Sequence, residues 1–172
     1  RLNEQSLSMK VCDLEDGDSR AAFKTVSNMD MRSYKKIRMF VHAEARAGSN
    51  EQLNNNDVSA FMRLGTDYTD NYYEYEIPLT VTPAGVYAPN DEVDREKVWP
   101  EENNMELSFE LLQYVKQQRN IAISNGTASL TAEFTIADPE HPERKITVKG
   151  NPNLSSIKII MLGIRNPKMT SG

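Results

Sequence analysis

Tyr72-Tyr73-Glu74-Tyr75-Glu76-Ile77-Pro78-Leu79-Thr80-Val81 is the stretch that decides the fold. Tyr73, Tyr75, Ile77, Leu79 and Val81 fall at every second position, set against Tyr72, Glu74, Glu76, Pro78 and Thr80. Successive side chains of a strand point to opposite faces, so this alternation predicts a strand with one buried side. Pro78 has no N–H to give to a ladder, which predicts that the strand lies partly at a sheet edge or carries a bulge.

The same period extends outward. Val58, Ala60, Met62 and Leu64 alternate with Ser59, Phe61 and Arg63, and Gly65-Thr66-Asp67-Tyr68-Thr69-Asp70-Asn71 supplies the Gly, Asp and Asn of a hairpin loop between the two segments. Upstream, Ile37, Met39 and Val41 form a third strand, Asp30 could cap one short helical turn before it, and Leu7, Met9 and Val11 suggest an opening strand with Cys12 beside it. Downstream, Leu130, Ala132, Phe134 and Ile136 pair across the turn-rich Asp138-Pro139-Glu140-His141-Pro142 with Ile146 and Val148. Ser156 to Ile164 is apolar on both faces and predicts a central strand covered on both sides. Tyr73, Tyr75, Ile77, Ile159 and Met161 are the expected core.

One segment breaks the period: Leu107, Leu111, Leu112, Tyr114 and Val115 fall at helical spacing, predicting a helix over Met105 to Gln118 capped by Asn103 or Asn104. A shorter helix is expected from Asp91 to Lys97. The expectation is therefore a mainly β chain, an antiparallel β-sandwich or jelly roll with one or two short connecting helices, spanning 1–172 as a single soluble domain. At 172 residues and 38% hydrophobic content the chain can close one core, and two independent cores are not expected.

Composition narrows the function. Twenty Lys and Arg against 25 Asp and Glu give a net charge of −5, which offers no general field to hold a phosphate backbone, so nucleic acid is not an expected partner. The single cysteine, Cys12, excludes an internal disulfide and a cysteine-based metal cage. No run approaches the ~20 consecutive apolar residues of a membrane helix, so the chain itself is not expected to span a membrane that way. It starts at Arg1 without an initiator methionine or an apolar secretion segment, and the expectation is a piece of a longer protein.

Chemistry is hard to find. Phosphate-loop, dinucleotide, zinc-protease and nucleophile-elbow motifs are absent, and the two histidines are His42, within the third strand, and His141, in a proline-flanked turn. Both read as ordinary strand and turn residues, so no catalytic or cofactor-binding residue is assigned and no cofactor is expected. Asp13, Glu15, Asp16 and Asp18 around Gly17 form the densest acidic loop, but the spacing is not that of a calcium-binding hand, and a solvated loop explains it; no metal ligand is assigned. Tyr68, Tyr72, Tyr87 and Trp99 lie in or beside loops where flat rings could stack on sugars. A carbohydrate-binding jelly roll is the alternative, while Tyr87 and Trp99 read more simply as anchors of a long connection onto the core.

Four blocks resemble one family: Met29 to Ala45 (MDMRSYKKIRMFVHAEA), Asp57 to Pro83 (DVSAFMRLGTDYTDNYYEYEIPLTVTP), Val98 to Leu107 (VWPEENNMEL) and Lys149 to Pro167 (KGNPNLSSIKIIMLGIRNP). They are similar to the SprA/Sov proteins, giant outer-membrane proteins of Bacteroidota tied to gliding motility and type IX secretion. The resemblance implies a non-enzymatic structural or interaction domain of a translocon through which folded cargo crosses the outer membrane. The chain would be a soluble insertion in the larger protein, at the cell surface or in the periplasm. The partners implied are the remainder of the parent barrel, accessory secretion proteins and secreted cargo. The family brings no catalytic residue to carry over.

Overall fold

A computed structural model describes residues 6–48 and 52–167. Among them, in chain order, are β1 (Ser19–Met29), β2 (Lys36–Phe40), β3 (Ser59–Gly65), β4 (Tyr72–Pro78), α1 (Glu92–Val98), β5 (Asn104–Ser108), α2 (Phe109–Ser124), β6 (Phe134–Ala137), β7 (Lys145–Lys149) and β8 (Ile157–Arg165). The strands form two antiparallel sheets, one ordered β1-β8-β3-β4-β7-β6 and the other a ribbon of β2 and β5. The chain is thus mainly β in a sandwich-like layout, with two short helices.

The alternation in the deciding stretch does what period two requires. Tyr73, Tyr75 and Ile77 of β4 point inward with Ala60, Met62 and Leu64 of β3 and Ile146 and Val148 of β7. Met105 and Leu107 of β5 and Leu112 and Val115 of α2 close the other side, with Ile37 and Met39 of β2 packed behind them. Each fully buried aliphatic side chain contributes about 1.5–3 kcal/mol, so this layer dominates stability. The Tyr75 hydroxyl, buried with it, donates to Asp138 Oδ2 at 2.6 Å, which satisfies that polar tip.

The two layers are stitched by Asn103, wholly buried at the entry to β5. Its Nδ2 donates to Thr80 O at 2.8 Å and its Oδ1 accepts from Thr80 N at 2.8 Å, so one side chain stands in for a strand neighbour just past the end of β4. Arg144 adds a second stitch, donating to Asn104 O at 3.0 Å and Glu102 O at 3.3 Å.

Several expectations need correction. β4 is interior rather than at an edge: Pro78 is its last residue, and its pairing with β7 has already ended at Glu76↔Lys145, so no neighbour asks for the missing N–H. Leu7, Met9, Val11 and Cys12 lie in irregular chain, with Leu7 and Cys12 exposed. Ser108 is the cap of the longer helix and accepts from Leu111 N at 3.1 Å; residues 104–108 pair with β2 instead, which pushes the helix toward Ser124 and leaves Tyr114 facing outward. Leu130 and Ala132 precede β6 and are exposed. β8 lies inside the sheet, with Ile157 fully buried in the main core and Ile160 and Leu162 packed against it; Ile159 and Met161 are half-buried on the opposite face. β1 lacked any alternation signal because almost all of it is exposed, and its pairing with β8 alone makes it a strand. The shorter helix falls at Glu92–Val98 with Asp91 as its cap, one residue beyond the expected span.

The β3–β4 loop is built around one carboxylate. Asp67 accepts from the backbone N–H groups of Thr69, Asp70 and Asn71 at 3.0, 2.6 and 3.0 Å, and from Asn71 Nδ2 at 2.8 Å. Burial would raise its pKa, but these donors, Asn71 first, outweigh that and hold it at about 2 against an ordinary 3.8. A pKa lowered by folding gives stability that is complete above the ordinary value and lost as pH falls through the folded one. With allowance for its partial exposure, that amounts to about 1–2 kcal/mol. Asp67→Ala is expected to lower stability by that amount at neutral pH and to bring no comparable loss near pH 2, measured by urea unfolding across pH. An equal loss at both ends would show that the carboxylate's charge does not hold the turn.

Candidate interaction surface

The face of the large sheet turned away from the core carries the side chains that the alternation assigns outward: Ser59, Phe61 and Arg63 of β3, Tyr72, Glu74 and Glu76 of β4, and Arg165 of β8. No second layer is needed to bury them. Arg63 Nη2 lies 2.6 Å and Nε 2.8 Å from Glu74 Oε2, and Arg165 Nη2 lies 2.9 Å from Glu74 Oε1. Arg165 Nη1 donates to Glu76 Oε2, and Ser59 Oγ donates to Glu76 Oε1 at 2.7 Å.

Aromatic rings fill the gaps. Phe61 lies under both guanidiniums, with Arg165 4.7 Å and Arg63 5.9 Å from its centroid, and Arg63 also covers Tyr72 at 3.8 Å. Phe61 in turn rests on the backbone of Gly163, where a Cβ would fall 2.3 Å from the ring. Only glycine lets the ring lie flat on β8. The Tyr72 hydroxyl donates to Glu133, and burial followed by that carboxylate pushes its pKa well above the ordinary value. For Arg165, burial works to lower the pKa, but Glu74 and Glu76 prevail and raise it.

Two carboxylates and two guanidiniums therefore consume one another, so the arrangement is a charge-balanced clasp across three strands. Chemically it orients and holds; it presents no free base or nucleophile.

The residues singled out by sequence are dispersed. Asp13, Glu15, Asp16 and Asp18 sit in a turn pinned to the end of β8, with Gly17 N donating to Asn166 O at 2.8 Å and Asn166 Nδ2 to Leu14 O at 2.8 Å. Among the described residues no cluster of three or more ligand side chains could hold a metal ion. His42 lies just past β2 rather than within a strand, its Nδ1 2.8 Å from Val98 O and its Nε2 3.5 Å from Glu44. His141 stands in an exposed turn near Glu143, at 3.7 Å.

The four aromatics proposed as a sugar platform go to separate places. Tyr72 is buried under Arg63, and Tyr68 stacks on Phe23 at 5.4 Å. Tyr87 donates to Pro83 O within its own loop. Trp99 is 50% exposed and tilts against His42 at 5.5 Å, so it anchors its connection on a histidine rather than in the core. Sequence reasoning missed the clasp itself: Arg63 and Glu74 face each other across the β3–β4 hairpin, but Arg165 reaches the two glutamates only through the pairing of β8 with β3.

The fold and this surface define a β scaffold with a self-satisfied charged face. The family described as motility related/secretion protein, SprA_N, matches residues 1–172, the whole chain, and the chain belongs to that family. A search among curated proteins returns no match. No helix among the described residues is long and apolar enough to cross a membrane.

Because the clasp is mostly buried, removing one member leaves an uncompensated charge, at a cost of about 3–5 kcal/mol before solvent relief at its half-open rim. Arg165→Met is expected to lose about 3 kcal/mol in urea unfolding. Adding Glu76→Gln should recover part of that loss; a single variant as stable as the parent would refute the clasp's role.

Proposed function

We propose that the chain is a non-enzymatic structural and interaction domain of a type IX secretion, gliding-motility translocon of Bacteroidota, taking part in protein export to the cell surface. In this reading residues 1–172 are one soluble domain of a larger outer-membrane protein, at the cell surface or in the periplasm. The partners are the rest of the parent barrel, accessory secretion proteins and exported cargo. The observation that carries it is the family match over residues 1–172. The clasp supports it from the physical side, since ionisable groups on the sheet's outer face are spent on one another instead of converging on a reaction centre.

Cys12, exposed and the only cysteine of the chain, offers a direct handle. In a gliding strain, in-frame removal of this segment from the parent gene is expected to abolish export and spreading while the remaining protein stays in the outer membrane. A membrane-impermeant maleimide, with Cys12→Ser as control, then reports whether labelling needs outer-membrane permeabilisation. Export that continues undiminished without the segment would sink the reading.

A further inference from the structure

An open cleft of about 560 Å³ lies between α2 and the segment that follows β7, with Arg32 at its rim. One helix face forms a wall: Gln113, Lys116, Gln117 and Asn120 follow one another at helical spacing. Asn151 and Pro152 form the opposite wall, and Tyr73 lies at the base.

The charges here are arranged unlike those of the clasp. Arg119, 1% exposed and not itself a lining residue, lies behind the cleft wall beside Tyr73 and Asn120, which do line it. Its Nη1 donates to Gly150 O and its Nη2 to Asn120 Oδ1 at 3.2 Å, while its Nε has no partner among the described residues. Lys116 Nζ donates to Pro152 O at 3.1 Å. Among the described residues, both cations therefore meet only neutral acceptors, and no carboxylate lines the cleft. The pKa of Lys116 is lowered by burial and then by Arg119, and that of Arg119 is lowered by burial, which outweighs the opposing effect of Tyr73. Tyr73, pushed up to about 12 by burial, stays a neutral hydroxyl and supplies no negative charge. Arg32 at the rim is already held by Asp30 at 2.6 Å.

A buried cation facing only dipoles is costly, and a bound anion would offset it. We propose that this cleft binds one aspartate or glutamate side chain carried on an extended segment of a partner protein, the carboxylate meeting Lys116 above Tyr73, with the Arg119 guanidinium behind that lining adding its positive field. Charge complementarity selects the carboxylate. The open, elongated shape and the amide side chains of Gln113, Gln117 and Asn151 suit the backbone N–H and C=O groups of a peptide on either side of it. The inference rests on the interaction-domain reading, but binding measured in solution tests the cleft whether or not export depends on the domain.

The test titrates the whole chain with the blocked peptide Ac-Gly-Ala-Asp-Ala-Gly-NH2, its Asn counterpart, sodium acetate and inorganic phosphate, following the amide resonances of Asn120, Gly150 and Asn151. The Asp peptide is expected to bind about tenfold more tightly than the Asn peptide, with the preference falling as salt rises. Lys116→Gln, a change on a half-exposed helix position, should remove most of that preference, and so should Arg119→Met if that variant folds. Equal binding of the two peptides, no binding, or an unchanged preference in Lys116→Gln would overturn the proposal. Acetate or phosphate binding as tightly as the Asp peptide would overturn the peptide assignment in favour of a small free anion.

Discussion

Everything in this chain hangs on β4 being buried on both faces while carrying alternately apolar and acidic side chains. Tyr73, Tyr75 and Ile77 enter the core on one side, and Glu74 and Glu76 leave on the other. A strand between β3 and β7 cannot move one residue without sending carboxylates into the core and tyrosines into the clasp. The register is therefore fixed twice, by burial on one face and by guanidinium pairing on the other. Arg165 ties this register to the far end of the chain, because β8 pairs with β3 through Ser59↔Arg165.

That double constraint explains which parts of the fold were legible. The β3–β4 hairpin, the β6–β7 hairpin and the inward set of β2 could be read because each sends apolar side chains toward the core at alternate positions, which is the pattern period two detects. β1 could not be read: Ser19–Met29 exposes nearly all its side chains, and a strand held only by backbone pairing writes no pattern into its sequence. Ile159 and Met161 misled in the opposite direction. They are apolar on the sheet's outer face, beside Arg63 and Gly65 in the β3 register, where they stay half-buried, and single-strand apolarity does not distinguish that face from the core.

The helix boundary failed for a local reason. Leu107 is as compatible with a helix face as Leu111, so spacing alone ran the helix back through Met105, whereas the pairing partner that claims 104–108 is β2, about 70 positions upstream in the chain by the Lys36↔Ser108 register. Ser108 then starts the helix, a role its side-chain oxygen serves as well as an asparagine would. The clasp was concealed in the same way. Arg63 and Glu74 look like solvated outward residues until the hairpin places them face to face, and nothing near Arg165 in sequence announces that it completes them.

The clasp and the cleft obey one electrostatic rule and end in opposite states. On the sheet's outer face, guanidiniums are buried beside carboxylates, so each ion's lost hydration is offset within the chain and the surface has little left to offer a charged ligand. Under α2, Arg119 is buried at least as deeply with only Gly150 O and an amide to answer it, although Glu110 stands in the first turn of the same helix. A stability argument alone favours replacing such an arginine with an apolar side chain of similar volume. Keeping a cation there makes physical sense when the missing charge arrives from outside, which places recognition in the cleft and rigidity in the clasp.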